Sequence, residues 1–340
     1  MRRTSAGTRT ESSTLVHADP RLDLVEQPFL DVVGLVKRYG SRTAVDGVTF
    51  RIAKGECFGL LGPNGAGKTT TILAVCGLSR PDAGSVRIGA SPASPTGVQA
   101  RQKIGYVPQD LAVYEDLSGR ENLSFFGRLY GLRGRGLKDR VDMTLDFVDL
   151  GGRANDKVAG YSGGMKRRLN IAAALLHEPG IIILDEPTVG IDPQSRNAIL
   201  ENLLDLRERG VALLYTSHYM EEVERICDRI GIMDAGRILA EGSRTELIAL
   251  LGDDGAQIRL STSTTPGPAL LVELADLAGV AHVTATDTGL DLSVRDVGRV
   301  LPGVVAATGR HGVQVNGVSV EQPDLETVFL HLTGKALRDV

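Results

Sequence analysis

The stretch GECFGLLGPNGAGKTTTILAVCGL, residues 55–78, sets the tightest limit on what this chain can fold into. An apolar run ends in glycine, a glycine-rich loop follows, and a helix-forming segment starts at once. Within it, GPNGAGKTT matches G-x-x-x-x-G-K-[ST] in the strand, loop and helix order that gives this spacing a mechanism. The loop of Gly62, Pro63, Asn64, Gly65, Ala66 and Gly67 would wrap phosphates with free backbone N–H groups at a helix N-terminus, whose dipole favours negative charge. Lys68 would reach the β- and γ-phosphates of a nucleotide, the Thr69 hydroxyl would bind Mg²⁺, and Thr70 completes the cofactor-binding set. A glycine-rich turn followed by a lysine through chance alone would not need a strand before it and a helix behind.

An acidic partner narrows the class. IIILDEP places Asp185 and Glu186 at the tip of a buried apolar strand, where Asp185 is expected to serve Mg²⁺ and Glu186 to polarise an attacking water as general base. Two solvated carboxylates opening a turn before Pro187 would be the bland reading of a lone DEP. A third stretch, AGYSGGMKRRLNIAAALL (159–176), raises a separate question. Ser162 alone could cap the helix that follows. The pair Gly163 and Gly164 goes further, since glycine also lets a ligand or another backbone come very close.

The rest of the pattern is that of an α/β protein. Short strands read at FLDVVGLVKRYG, AVDGVTFRI, SVRIGA and IGYVPQD. Residues from about Leu117 to Leu176 read as almost wholly helical, an inserted helical subdomain. GIIILDEP, VALLYTSH and RIGIMDAG then alternate with helices, which implies a largely parallel, helix-covered sheet. Composition shifts near LGDDGAQ. Beyond it, QIRLST, ALLVELADLAG, AHVTATDTG, LDLSV, VGRVLPGVVAATGRHG and VQVNGVSV suggest a small α+β domain. The expected division is a flexible tail at 1–28, a nucleotide-binding domain at 29–251 and an accessory domain at 252–340. Cys57, Cys76 and Cys227 lie far apart with no CxxC pair, which suggests neither a disulfide framework nor a zinc site. A net charge of −4 argues against a broad nucleic-acid footprint. No secretory h-region follows the first arginines, and no apolar window approaches the ~20 residues a bilayer requires.

Taken in order, GPNGAGKTT, YVPQD with Gln109, YSGGMKRRL, IIILDEP, TVGIDP with Asp192 and TSH with His218 resemble the ATP-binding cassette (ABC) ATPases, the motor subunits of ABC transporters. The resemblance covers residues from about 29 to 245. It implies a cassette with a mostly parallel core sheet, an antiparallel β subdomain and an inserted helical subdomain, with ATP and Mg²⁺ as cofactors. It also implies that two copies pair head to tail, so that Ser162, Gly163 and Gly164 of one copy close over the γ-phosphate on the phosphate loop of the other. A Cβ at the glycines would then collide with the nucleotide. By the same resemblance Tyr39 stacks on adenine, Gln109 touches Mg²⁺ or water and senses a membrane subunit, His218 contacts the γ-phosphate, and Asp192 joins the nucleotide-binding set. An ordinary half-buried strand tyrosine and a structural histidine are the alternatives for Tyr39 and His218.

The signature departs from the family's LSGGQ, with Tyr161 and Met165 at its first and fifth positions. Methionine cannot supply an amide's donors and acceptors, which puts any contact of that glutamine in doubt. YSGGMKRRL together with LETVFLHLTGKALRD looks like the drug-exporter subfamily typified by daunorubicin-resistance ATP-binding subunits. That resemblance implies a homodimer on the cytoplasmic face of the membrane beneath a separate permease, with no nucleic-acid partner. A soluble ABC ATPase acting on ribosomes or nucleic acid and an ATP-binding scaffold are the alternatives. Near the C-terminus, Pro323 and Asp324 predict a helix start, with Leu325, Val328, Phe329 and Leu332 on one face and Gly334 as the stop. That face would pack into the small domain's own core, or steady the dimer or its assembly with the permease.

Overall fold

The computed structural model describes residues 28–89, 91–93, 97–251, 256–286, 289–321 and 323–334. The expected N-terminal tail lies outside these residues but for its last position, and the expected boundary at 252 also falls outside them.

Mainly apolar runs become the central strands. Cys57–Leu61 (β3), Ile181–Asp185 (β7) and Ala212–Ser217 (β8) are buried along their whole length, as parallel strands covered on both faces must be. With Ile104–Val107 (β6), Arg229–Asp234 (β9) and Arg237–Gly242 (β10) they form a six-stranded sheet in the order β10-β9-β3-β8-β7-β6. All its pairings are parallel except β9 with β10. Lys68–Val75 (α1), Pro193–Glu208 (α6), Met220–Ile226 (α7) and Arg244–Ala249 (α8) follow strands of this sheet.

Leu30–Tyr39 (β1), Arg42–Ile52 (β2), Ala83–Ile88 (β4) and Ser91–Pro92 (β5) make a separate antiparallel sheet in the order β2-β1-β4-β5, and a short helix, Val98–Arg101 (α2), leads from it to β6. The expected helical insertion is present as Gly119–Leu129 (α3), Gly134–Phe147 (α4) and Gly163–Leu175 (α5). Ser118 and Glu121 close a capping box at the start of α3. Leu123, Val141, Leu145, Val158, Tyr161 and Leu169 give the insertion its own core.

The C-terminal segment runs Ala256–Thr262 (β11), Pro268–Ala275 (α9), Val280–Thr286 (β12), Gly289–Val294 (β13), Val297–Arg310 (α10) and Val315–Glu321 (β14). Its sheet order is β12-β13-β11-β14, with antiparallel neighbours throughout. Two strands joined through a helix, with a third between them, occur twice here, which is the split β-α-β arrangement of ferredoxin-like domains. Ile258, Leu260, Leu292, Val300 and Val304 fill its core.

The last helix, Leu325–Thr333 (α11), starts and stops where its residues predict. The Asp324 carboxylate accepts from Thr327 N–H at 2.9 Å, and Gly334 ends it at φ 69°. Its apolar face does not enter the small domain's core. Leu325, Val328 and Phe329 are buried with Val223, Ile226, Leu247 and Leu251, in the cluster beneath α7 and α8 of the ATP-binding fold. The backbone N–H of Leu325 donates to Glu224 at 3.2 Å. The 3.6-residue period identified the stripe but carried no information about which core would receive it.

Candidate functional site

Gly67 caps the N-terminus of α1 at φ 107°, a left-handed conformation that favours glycine. A Cβ there would lie 2.5 Å from the carbonyl oxygen of Ala44, and one on Gly62 would lie 2.2 Å from that of Met233. The loop is therefore folded tightly against β2 and β9, with its remaining backbone turned to a cavity of about 300 Å³. Tyr39, Arg42, Pro63, Asn64, Gly65, Gly67, Lys68, Thr69, Thr70, Gln109 and Glu186 all line this cavity. Four stretches far apart in the chain thus converge on one place.

Lys68 is buried at 5 % exposure, and its ammonium donates to the carbonyls of Gly62 at 2.6 Å and Pro63 at 3.1 Å. Its third partner is the Glu186 carboxylate at 3.2 Å. The other oxygen of Glu186 lies 3.3 Å from Nδ1 of His218 and accepts from the Gln109 amide at 3.4 Å. Three of the residues expected to do chemistry therefore meet on the fourth. Glu186 holds φ 46°, a left-handed conformation costing roughly 1–3 kcal/mol in a residue with a Cβ. Its backbone N–H donates to the Thr216 hydroxyl at 3.1 Å, which helps to hold that conformation.

The neighbouring Asp185 is 1 % exposed and accepts from the Thr216 hydroxyl at 2.9 Å. Burial pushes its carboxyl above the ordinary range, against the opposing pull of hydrogen bonds from Thr216 and Thr69. A buried carboxylate paired with the Thr69 hydroxyl is a hard, all-oxygen donor set whose charge calls for a cation, and it fits Mg²⁺. Among the described residues there is no cluster of three or more acidic, His or Cys side chains that could hold a metal unaided. Ligands from a nucleotide would have to complete the shell.

Tyr39 ends β1 half exposed, at 51 %, with the Lys37 ammonium 5.4 Å from its ring centre. The residue also lines the phosphate cavity. Reasoning from sequence did not identify Arg42, a cation three residues beyond Tyr39 on the same rim. It also missed Thr216, whose hydroxyl serves both Asp185 and Glu186. The one signal for Thr216 was its place two residues before His218 at a strand end.

Ser162, Gly163, Gly164 and Asp192 do not line this cavity; they stand together elsewhere on the chain. Ser162 caps α5, its hydroxyl accepting from Met165 N–H at 3.2 Å, and Asp192 caps α6 through Ser195 N–H at 2.9 Å. The glycine pair needs a divided explanation. Gly163 is exposed, with nothing closer than 3.8 Å to a Cβ built on it. Gly164 is buried, and a Cβ there would lie 2.2 Å from the Ser195 hydroxyl of the same chain. Packing within one chain therefore already requires the second glycine. Tyr161 is buried with its hydroxyl donating to the Arg153 carbonyl at 2.6 Å, and Met165 packs on the core of the helical insertion. Both departures from LSGGQ serve that core.

A sequence profile described as "ABC transporter" matches residues 45–189. The linearmycin resistance ATP-binding protein LnrL of Bacillus subtilis (strain 168) is 47 % identical over 313 residues, covering 92 % of this chain and 100 % of that protein. The daunorubicin resistance ATP-binding protein DrrA3 of Streptomyces coeruleorubidus is 41 % identical over 305 residues, or 90 % and 96 % of the two chains. Among solved structures, an ATP-binding subunit of an ABC transporter aligns at a TM-score of 0.60 with 32 % identity, covering 66 % of this chain and 93 % of that one.

Proposed function

We propose that this chain, which belongs to the ATP-binding subunits of ABC transporters and is an ATPase, is the motor of an exporter that carries a small molecule of the drug or antibiotic class through a separate permease. The convergence of Lys68, His218 and Gln109 on the two oxygens of Glu186 carries the catalytic part of this reading.

ATP brings its β- and γ-phosphates to the loop N–H groups and to Lys68, and the Lys68 ammonium exchanges Glu186 for phosphate oxygens. Glu186 is then free to take a proton from the water that attacks the γ-phosphorus. The bond to the β-phosphate oxygen breaks, leaving ADP and inorganic phosphate. His218, 3.3 Å from Glu186, would turn to the γ-phosphate once ATP is bound, and Tyr39 would offer its ring to adenine. Thr69, Asp185 and Gln109 would hold Mg²⁺, which would neutralise charge on the phosphates.

Ser162, Gly163 and Asp192 are exposed and lie away from their own chain's cavity, which supports their use by a second copy packed head to tail. The N-terminus of α5 would then present its dipole to the partner's γ-phosphate. Just beyond Gln109, the half-exposed rings of Tyr114 and Phe125 pair edge-on at 5.2 Å, and Leu129, exposed, lies one turn further along α3. Exposed apolar side chains of this kind suit the permease. Among the described residues no helix is long and apolar enough to cross a membrane, and the chain sits on the cytoplasmic face through that partner. The names of LnrL and DrrA3 support the drug or antibiotic class of cargo.

Replacing Glu186 with Gln tests the catalytic reading. Turnover should fall by ~10²–10⁴, the usual share of a general base, while ATP still binds. A wild-type rate in this variant would remove Glu186 from the mechanism.

A further inference from the structure

Glu222 stands in the first turn of α7, where helical spacing alone would read it as a solvated carboxylate. It is instead buried, at 2 % exposure. One of its oxygens accepts from the hydroxyls of Tyr215 at 2.7 Å, Thr188 at 2.8 Å and Ser217 at 3.0 Å. The other lies 3.3 Å from Nε of Arg196. Three hydroxyl donors and a guanidinium form a set suited to an ionised carboxylate.

The partners of Glu222 sit beside the reacting groups. Thr188 is two residues past Glu186. Ser217 immediately precedes His218, and its hydroxyl also accepts from Tyr219 N–H at 2.9 Å, so the backbone is tied on both sides of the histidine. The Tyr219 ring lies 4.2 Å from that of His218, and the Arg196 guanidinium lies over the Tyr219 ring, 4.7 Å from its centre. Arg196 follows Ser195, against which Gly164 packs. A single buried carboxylate thus fixes the segments that carry Glu186 and His218 relative to each other and to the first turn of α6. A buried ion pair is a weak device for stability, because its desolvation cost offsets most of its attraction. Fixed geometry is the stronger reason to keep one here.

We infer that Glu222 is a positioning residue for ATP hydrolysis, holding Glu186 and His218 in register through Thr188, Ser217 and Arg196. This rests on the assignment of Glu186 and His218 to the reaction. A displacement near 1 Å of a group poised for reaction costs on the order of 10²-fold in rate. In the full chain, Glu222→Gln should therefore lower kcat by about 10–100-fold and leave KM and the Kd for ATP within a factor of about two. Adding Arg196→Gln removes the guanidinium left unpaired, so the double variant should recover melting temperature but not kcat. Recovery of both together would mean that Glu222 acts only on stability and would overturn the inference, as would a near-wild-type kcat in folded Glu222→Gln. If Glu222→Gln does not fold, Thr188→Val and Tyr215→Phe, each removing one donor, should lower kcat by about 2–10-fold; wild-type rates in both would overturn it. Glu186→Gln run alongside separates the two claims. Its inactivity beside a normal Glu222→Gln rejects only the positioning role, whereas its full activity rejects the site assignment and this inference with it.

Discussion

Phe329 ties the C-terminal helix to the ATP-binding fold, and cutting it to alanine should be felt there. The ring is 2 % exposed and packs in the cluster containing Val223, Ile226 and Leu247. Truncating a buried phenylalanine costs about 3–5 kcal/mol. At about 2–4 °C per kcal/mol for a domain of this size, the melting point should fall by roughly 6–20 °C. Phe329 and Thr333 also line a cavity of about 160 Å³ together with Asn64, Gly65 and Ala66 of the phosphate loop. Loss of the ring removes support from that loop, so ATP binding should weaken as well. Calorimetry with and without ATP identifies which domain is affected, because a ligand raises only the transition of the unit that binds it. The transition that ATP raises should be the one that Phe329→Ala lowers. A variant that lowers only a transition insensitive to ATP, with ATP affinity unchanged, would refute the placement of α11 in the cassette.

Lys68→Ala should abolish ATP binding in a calorimetric titration, because it removes the cation facing the β- and γ-phosphates; unchanged affinity would reject the phosphate-loop assignment. If Asp185 holds Mg²⁺, use of the metal should depend on pH. Its carboxyl is held above the ordinary range by burial, so on lowering the pH it takes up a proton sooner than an exposed aspartate, and Mg²⁺ affinity in the presence of ATP should fall from that point down. The hydrogen bond from Thr216 opposes this shift, so Thr216→Val should move the onset to higher pH. An unmoved onset in Mg²⁺ titrations across pH would separate Asp185 from the metal.

Local chemistry was the legible part of this protein. The phosphate loop and the DEP strand tip are short runs that can be read from their immediate strand and helix context, whereas TSH takes its role only from the family resemblance, and β3, β7 and β8 form where mainly apolar runs predict buried parallel strands. That strands and helices mix from Ala256 to Glu321 could likewise be read from alternation and turn residues. Their sheet order could not, because pairing depends on tertiary packing. The same limit hid three side-chain environments. Gly164 reads as room for a nucleotide, and the fold adds a near neighbour within the same chain, Ser195, 31 residues on. Phe329 announced an apolar face without its destination. Glu222 carries the composition of a surface helix, and only the fold brings Thr188, Arg196, Tyr215 and Ser217 around it.

If a working site is shared between two copies, the loop of one is closed by Ser162 and Gly163 of the other. Ser162→Arg puts a bulky cation where the partner's γ-phosphate would lie, and Lys68→Ala removes the loop's own cation. Each variant alone should be nearly inactive in ATP hydrolysis, Ser162→Arg while still binding ATP. Mixed dimers contain one intact site, made from the loop of the Ser162→Arg chain and the signature of the Lys68→Ala chain. Phosphate release should therefore reappear when the two inactive proteins are combined. A mixture that stays as inactive as its components, or a Ser162→Arg protein that hydrolyses ATP normally by itself, would contradict the shared site.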